Sequence, residues 1–299
     1  MRYFLAVAEE QNFGRAAERL HMAQPPLSRQ IQTLEAQLQA RLFVRTAKGV
    51  ELTEAGQVLL REVPNVLALA QRAAESARLA GQGLVGRLDV GLFGSGVLDV
   101  IPRILARFHA ARPQVKIVLH NLTKTEQLQA LRERRIAVGF NRLVPDESGI
   151  VVRPILREPL VVALPDNHAL AARAVLTIPD LNEQPMIVYP NVPLHGLAQE
   201  VANAFRAEGV RLAVEQEVED VLTAIALVAS GFGLAVTTQS ATNLRLPGVA
   251  FRPLRSAHLA DVELSSLWRQ GDDSPILAAF LRVLRDFGHW RDEDGDAGA

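Results

Sequence analysis

A chain of 299 residues with 48% hydrophobic and 22% charged residues has room for two or three compact units, each with its own core. A formal net charge of −1 excludes a chain that is basic throughout, so any affinity for nucleic acid must come from where its Arg and Lys are placed. The absence of cysteine excludes disulfides and thiolate metal sites and suits a reducing cytoplasm, and no apolar run approaches the ~18–20 residues that cross a bilayer.

The first segment, MRYFLAVAEEQNF, has a short apolar centre but carries Glu9 and Glu10 where a secretion signal would be cleaved. It reads as a packing helix with Phe4, Val7 and Ala8 inward. Phe13 to Phe43 then reads as two short amphipathic helices around a tight turn. Ala16, Ala17 and Leu20 mark the buried side of the first, and Leu27, Ile31, Leu34 and Leu38 that of the second, at helical steps. The second helix starts at Pro25-Pro26, where a missing N–H and a fixed φ suit the first turn. Ser28, Arg29, Gln30 and Thr33 lie off the buried stripe near that end, with Gln24 and Pro26 beside them. A helix can enter the DNA major groove with its N-terminal end and offer hydroxyl, guanidinium and amide groups to base edges. From spacing alone, a plain helical hairpin with a polar outer face serves equally well.

Arg45 to Leu52 reads as two short strands around Lys48-Gly49, a wing whose turn Gly49 permits and whose tip Lys48 brings close to a phosphate. Arg29, Arg41, Arg45 and Lys48 form a local basic cluster. Thr53 is placed to cap a long helix from Glu54 to about Leu79. Its apolar stripe of Val58, Leu59, Val66, Leu69 and Ala73 needs a partner, and a second copy of the chain is the economical one. Pro64 is expected to kink or split that helix. Gly81 to Gly86 is a linker.

Beyond it, strands and helices alternate. Arg87 to Phe93, Val100 to Ala111, Val115 to Asn121, Lys124 to Arg132 and Ile136 to Phe140 form a βαβαβ order, which implies a parallel sheet. A second set follows: strands at Leu160 to Leu164, Met186 to Tyr189, Ala213 to Val218 and Gly233 to Thr237, with helices from about Leu197 to Glu208 and Val221 to Ser230. Val262 to Trp268 and a helix from Pro275 to Phe287 close the order. Two α/β halves place a small-molecule site between them, at strand ends. There, Gly94-Ser95-Gly96 offers a hydroxyl and close backbone approach, Thr123 a second hydroxyl, and Arg142 a guanidinium suited to a carboxylate. Ser95 and Thr123 read equally as plain N-caps, and Arg142 as a surface ion-pair partner. The seven histidines show no metal-ligand spacing, Gly231-x-Gly233 lacks the rest of a dinucleotide fingerprint, and no G-x-S-x-G elbow occurs.

The run AAERLHMAQPPLSRQIQTLEAQLQARLFVRTAKGVELTEAG resembles the N-terminal signature of LysR-type transcriptional regulators. The match covers the paired alanines, Gln-Pro-x-Leu-Ser-Arg-Gln-Ile, Leu34-Glu35, Leu42-Phe43, Arg45 and Leu52-Thr53-x-Ala55-Gly56. The resemblance implies a winged helix-turn-helix DNA-binding domain at 1–53, a dimerisation helix at 54–80 and a hinge at 81–86. An effector-binding domain of two Rossmann-like subdomains, of the periplasmic-binding-protein type, would occupy 87–290, with subdomain I at about 87–158 and 267–290 and subdomain II at about 159–266. A flexible tail would fill 291–299. The DNA contacts implied are Gln24, Pro26, Ser28, Arg29, Gln30, Thr33, Arg45 and Lys48.

It also implies a cytoplasmic regulator, not an enzyme, bound to double-stranded promoter DNA as homodimers and homotetramers. Contact with RNA polymerase is expected, and neither a membrane nor a cofactor beyond a small carboxylate effector. Family members usually carry a few more residues ahead of Arg2-Tyr3-Phe4, which leaves open a start at an internal methionine. The effector half further resembles the branch that governs catechol and benzoate degradation and responds to muconate or benzoate, most sharply over LTKTEQLQALRERRIAVGFNRL. In that branch residues matching Ser95 and Thr123 hold the ligand carboxylate, and loop residues near Pro193 to Leu197 close the cleft. An arginine matching Arg142 belongs to a neighbouring pocket in some members. The implied effector set is Ser95, Gly96, Thr123, Arg142, Asn191, Pro193 and Leu197. Thr237-Thr238-Gln239 stands where the family commonly has a proline, and His195 lies in a variable loop. A solute-binding protein of periplasmic type, sharing the cleft but without DNA binding, is the alternative, and an enzyme on the same scaffold a more distant one.

Overall fold

The computed structural model describes residues 1–46, 49–189 and 196–287, and these gather into two units, one from Met1 to Leu79 and one from Ala80 onward. In the first, α1 (Arg2–Glu10), α2 (Phe13–Arg19) and α3 (Gln24–Leu38) precede a hairpin of β1 (Phe43–Thr46) and β2 (Gly49–Leu52), and α4 (Glu54–Gly81) follows. Asn12 caps α2, its Oδ1 accepting from the amides of Gly14 at 2.8 Å and Arg15 at 3.1 Å. At its other end His21 takes a left-handed φ of 53°. The Met22 amide then returns to the Ala17 carbonyl and the His21 amide to that of Glu18, each at 3.0 Å, which closes the tight turn. No side chain caps α3; Pro25 and Pro26 remove two of the amide donors that a cap would otherwise satisfy.

Phe4, Val7, Ala16, Ala17, Leu27, Ile31, Leu42 and Val63 form the core of this unit. The stripe on α3 is shorter than its spacing predicts. Leu34 packs against that core, whereas Leu38 is 44% exposed, because the chain turns away at Gln39 with a left-handed φ of 51°. Thr53 caps α4 as expected, accepting from the Gly56 amide at 3.0 Å. The helix runs unbroken through Pro64. Leu59, Leu60, Val63 and Leu67 all pack against the core, so both sides of the proline are held and one lost hydrogen bond does not split it. Val58, Val66 and Leu69 remain exposed on the same helix.

The second unit has two α/β halves. In the first half, β3 (Gly86–Leu92), α5 (Val100–Ala111), β4 (Val115–Asn121), α6 (Lys124–Arg132) and β5 (Val138–Arg142) give the expected parallel βαβαβ, β3 lying between β4 and β5. Next come β6 (Ile150–Glu158), β7 (Leu160–Pro165), β8 (Leu176–Thr177), β9 (Pro185–Val188), α7 (Leu197–Ala207), β10 (Ala213–Glu217), α8 (Val221–Ala229), β11 (Ala235–Thr238), β12 (Val249–Arg255), β13 (Val262–Arg269) and α9 (Pro275–Phe287). The first sheet is ordered β4-β3-β5-β13-β6, the last two strands antiparallel to their neighbours. The second is ordered β11-β7-β12-β8, and a parallel bridge from Met186 to Leu234 attaches the pair β10-β9.

β13 pairs with β6 along its whole length and with β5 from Leu264 to Trp268. The chain therefore returns to the first half ahead of Val262, not near residue 267 as the sequence reading placed it. That reading also passed over β6 and β12, whose prolines, Pro154 and Pro253, break the usual signature of a strand. Pro154 is accommodated on an edge strand, beside a register shift opposite Leu264 and Ser265. In the first half α5 and α9 cover one face of the sheet, where Phe280 sits edge-on to Phe108 at 5.1 Å and Phe140 at 6.2 Å, and Leu128 and Leu131 of α6 pack with Leu267. In the second half, Val201 and Phe205 of α7 join one core cluster, and Ala224, Ile225 and Val228 of α8 join another.

Candidate nucleic-acid interface and ligand cleft

Several residues of the N-terminal signature act as joints. Glu35 Oε1 accepts from the amides of Leu42 at 2.7 Å and Phe43 at 3.2 Å, tying α3 to the start of the wing. The Thr53 hydroxyl donates to the Arg41 carbonyl at 2.6 Å, and the Thr53 amide to that of Leu42 at 3.0 Å. The Gln11 carbonyl accepts from the Val50 amide at 3.1 Å. Gly49 beside it has a φ of +132°, and a Cβ there would stand 2.9 Å from the Gln11 oxygen, so glycine is required twice over.

On this frame Gln24, Pro26, Arg29, Gln30 and Thr33 are exposed on α3 and Ser28 is partly exposed; Arg41 and Arg45 are exposed at the wing. The Thr33 hydroxyl donates to the Arg29 carbonyl at 2.9 Å. Arg19, by contrast, is paired with Glu9 and Glu10. Lys48 lies outside the described residues.

In the second unit a cleft opens between the two halves. The first half contributes Phe93, Gly94, Ser95, Lys124, Asn141, Arg142 and Leu143, and the second Tyr189, Gly196, Leu197 and Thr238. Phe93, Leu143 and Leu197 give apolar walls, and the polar groups are mostly donors. The buried Ser95 and Thr238 hydroxyls stand 2.6 Å apart. The Tyr189 hydroxyl donates to Thr237, and burial pushes its phenol up, so it stays neutral. The Arg142 guanidinium is paired with Glu158, which also accepts from the Ser240 amide at 2.9 Å and the Ser240 hydroxyl. Arg142 Nε and Asn141 Nδ2 are buried donors without a partner. Lys124 is only 4% exposed; its ammonium donates to the Leu143 carbonyl at 2.6 Å, and burial lowers its pKa to about 8.

Of the effector set read from the sequence, Ser95, Arg142 and Leu197 come together on the cleft wall. Gly96 is buried behind it, against Ile101 and Leu264. Thr123 caps α6: its hydroxyl donates to Glu126 Oε2 at 2.8 Å while the Glu126 amide returns to it at 3.4 Å. That capping box occupies the Thr123 hydroxyl, and the following residue, Lys124, lines the cleft instead. Asn191 and Pro193 lie outside the described residues. Lys124, Asn141, Tyr189 and Thr238 were not in that set. Lys124 and Asn141 do adjoin Thr123 and Arg142 at the strand ends that the sequence singles out, and Thr237-Thr238 stands where a proline is common. Among the described residues, no helix is long and apolar enough to cross a membrane.

Residues 1–57 match the family described as bacterial regulatory helix-turn-helix protein, lysR family, and residues 81–288 that described as LysR substrate binding domain. The HTH-type transcriptional regulator ClcR of Pseudomonas putida is 35% identical over 284 residues, spanning 95% of this chain and 96% of its own. Among solved structures, full-length CbnR complexed with its target DNA aligns with a TM-score of 0.83 at 33% identity, over 95% of this chain and 97% of that one. The BenM effector binding domain with its effector benzoate aligns with a TM-score of 0.61 at 26% identity, over 67% of this chain and 91% of that one.

Proposed function

The chain belongs to the LysR family of DNA-binding transcriptional regulators, and from that premise we propose that it controls genes of aromatic-compound breakdown in response to a small carboxylate held in the cleft. The match over residues 1–57 overturns the alternative of a plain solute-binding protein, and the family is one of regulators, not enzymes. The observation that carries the carboxylate reading is the pair of buried donors without a partner, Asn141 Nδ2 and Arg142 Nε, set in a cleft that the Lys124 ammonium and the hydroxyls of Ser95 and Thr238 also line, with no acidic side chain among the described lining residues. The apolar walls suit a hydrocarbon body. The pathway rests on the resemblance to the muconate- and benzoate-responsive branch and on BenM, whose domain was solved with its effector benzoate.

In this reading Ser28, Arg29 and Gln30 read base edges, Gln24, Pro26 and Thr33 flank them, and Arg45 and Lys48 meet phosphates. Val58, Val66 and Leu69 of α4 pair with a second copy, dimers join into tetramers, and the bound assembly contacts RNA polymerase. Ser95, Arg142 and Leu197 touch the effector, Gly96 and Thr123 hold the backbone turns beside it, and the loop with Asn191 and Pro193 closes over it. An effector shifts the assembly only as far as it prefers one arrangement of the two halves, and a ligand touching both Ser95 and Thr238 has such a preference.

Thermal shift across a panel of muconates and benzoates tests this. A ligand at about 100 times its Kd adds roughly 2.7 kcal/mol. Footprinting of the full chain on its promoter with and without the active acid should show a changed protection pattern. No shift with any carboxylate would overturn the effector reading.

A further inference from the structure

β3 pairs with β5 only at Val90–Val138 and Gly91–Gly139. Beyond those pairs the strand ends that bring Ser95, Asn141 and Arg142 to the cleft wall run on with no ladder between them. What joins them is Gln127, a residue of the first turn of α6 that is 0% exposed. Its Nε2 donates to the Phe140 carbonyl of β5 at 3.2 Å and to the Leu122 carbonyl, just past β4, at 2.9 Å. In a sheet ordered β4-β3-β5 those acceptors belong to the two strand ends that flank β3, and the Gln127 side chain lies over β3 between them. Glycine on both strands makes room for it. A Cβ on Gly91 would stand 3.0 Å from Gln127 Cγ, and one on Gly139 would run into Gln127 Oε1. The Leu122 amide in turn donates to the Leu92 carbonyl at 3.1 Å, which ties in the end of β3. Gln127 itself does not line the cleft, and its Oε1 is buried without a donor. An unpaired buried oxygen costs stability, and methionine would fill similar space without that cost.

Resting on the reading of the cleft as a carboxylate site, we propose that Gln127 is a positioning residue for the effector. It touches no ligand, but by tying the end of β4 to β5 it sets where the donors of the first half stand on the cleft wall. Asn141 and Arg142 directly follow Phe140, and Lys124 comes two residues after Leu122. A hydrogen bond weakens steeply once its length or angle leaves a narrow range, so a shift of about 1 Å in either strand end is felt as lost affinity.

The test uses the full-length chain, well below its melting transition, titrated by calorimetry with hexa-2,4-dienedioate and benzoate or, where neither binds, with the tightest acid of the wider panel. Gln127→Met, which keeps the volume and removes both donors, should weaken binding by the folded chain at least about tenfold. Asn141→Ala should weaken it as well. The double variant should lose much less than the product of the two, because Asn141 once misplaced has little left to contribute. A residue that only holds up the fold would lower the melting temperature and leave the affinity of the folded chain unmoved; that result would overturn the role of Gln127 while leaving the carboxylate reading standing. Losses that multiply in full would overturn it too, since Gln127 would then act apart from the wall. Should Gln127→Met fail to fold, Gly139→Ala, whose Cβ pushes the Gln127 amide off its carbonyls, is carried through the same cycle. Wild type binding no acid of the panel would bring down the carboxylate reading itself, and the role of Gln127 with it.

Discussion

The Ser95 hydroxyl lies 2.6 Å from that of Thr238, so one buried hydrogen bond joins the end of a strand in the first half of the effector unit to the end of a strand in the second. Ser95→Ala leaves the Thr238 hydroxyl without that partner, which costs about 1–3 kcal/mol. In a unit of this size each kcal/mol lowers the melting temperature by roughly 2–4 °C. Differential scanning calorimetry without ligand should show that drop, and titration should show weakened binding of any active carboxylate. An unchanged melting temperature would mean that the two hydroxyls are not energetically coupled.

Carboxylate binding should weaken as pH rises through the Lys124 titration. Burial lowers that ammonium from its ordinary 10.5 to about 8, and a bound anion raises it again. Ligand-free protein keeps the proton below pH 8 and loses it above, whereas the complex holds it longer. Affinity is therefore full below pH 8 and falls above it, by up to about tenfold per pH unit. The stability of the ligand-free unit runs the other way. Between about pH 8 and 10.5 the unfolded chain binds the proton more than the folded one, so the Lys124 contribution rises with pH across that window. Tyr189 stays protonated throughout, its phenol pushed up by burial. Calorimetric titration from pH 7 to 9 should show the slope, and Lys124→Met should flatten it.

Glu35 shows how much of the fold was legible and why the remainder was not. The N-terminal signature named it, along with Leu42-Phe43 and Thr53, and the structure makes all of them one joint of local hydrogen bonds. Periodicity also located α5, β4, α6 and α9 to the residue, because each is an uninterrupted amphipathic or alternating run. It missed β6 and β12, where Pro154 and Pro253 interrupt the run and pairing with distant strands decides the conformation. The cleft was harder. Thr123 and Lys124 are neighbours, and the capping box between Thr123 and Glu126 takes the Thr123 hydroxyl while Lys124 lines the wall. Thr238 and Tyr189 come from strands far along the chain, beyond the reach of local spacing.

Replacing Glu35 with alanine should loosen the wing without touching a base. The amides of Leu42 and Phe43 lose their acceptor, at about 1–3 kcal/mol for each left unpaired. DNA affinity should fall by similar factors on promoter and random sequence, and Glu35→Gln, whose amide oxygen still accepts, should recover much of it. A loss confined to the promoter would instead place Glu35 in sequence reading.

Arg29 is exposed on α3, one residue past Ser28, and its substitution separates the two kinds of DNA contact. If it reads a base with two hydrogen bonds, Arg29→Ala weakens promoter binding by about 1–3 kcal/mol and leaves random-sequence affinity nearly unchanged. Fluorescence anisotropy on both DNAs at one salt concentration gives the difference directly. Equal losses on the two would assign Arg29 to a phosphate.

Leu69 is 61% exposed on α4, with Val58 at 53% and Val66 at 48%. Apolar side chains left outward on one long helix find cover in a second copy of that helix, where a two-fold axis counts each contact twice. Burying a leucine contributes roughly 1.5–3 kcal/mol, so Leu69→Glu replaces that gain, on both helices, with a carboxylate that must be desolvated. The single chain should lose little, since exposed substitutions usually stay within about ±0.5 kcal/mol. Sedimentation velocity should therefore show Leu69→Glu as an assembly of lower mass than wild type with an unchanged melting transition of the effector unit, and promoter affinity should drop steeply as linked half-site contacts are lost. A variant that keeps the mass of the wild-type assembly would place the pairing surface elsewhere than on α4.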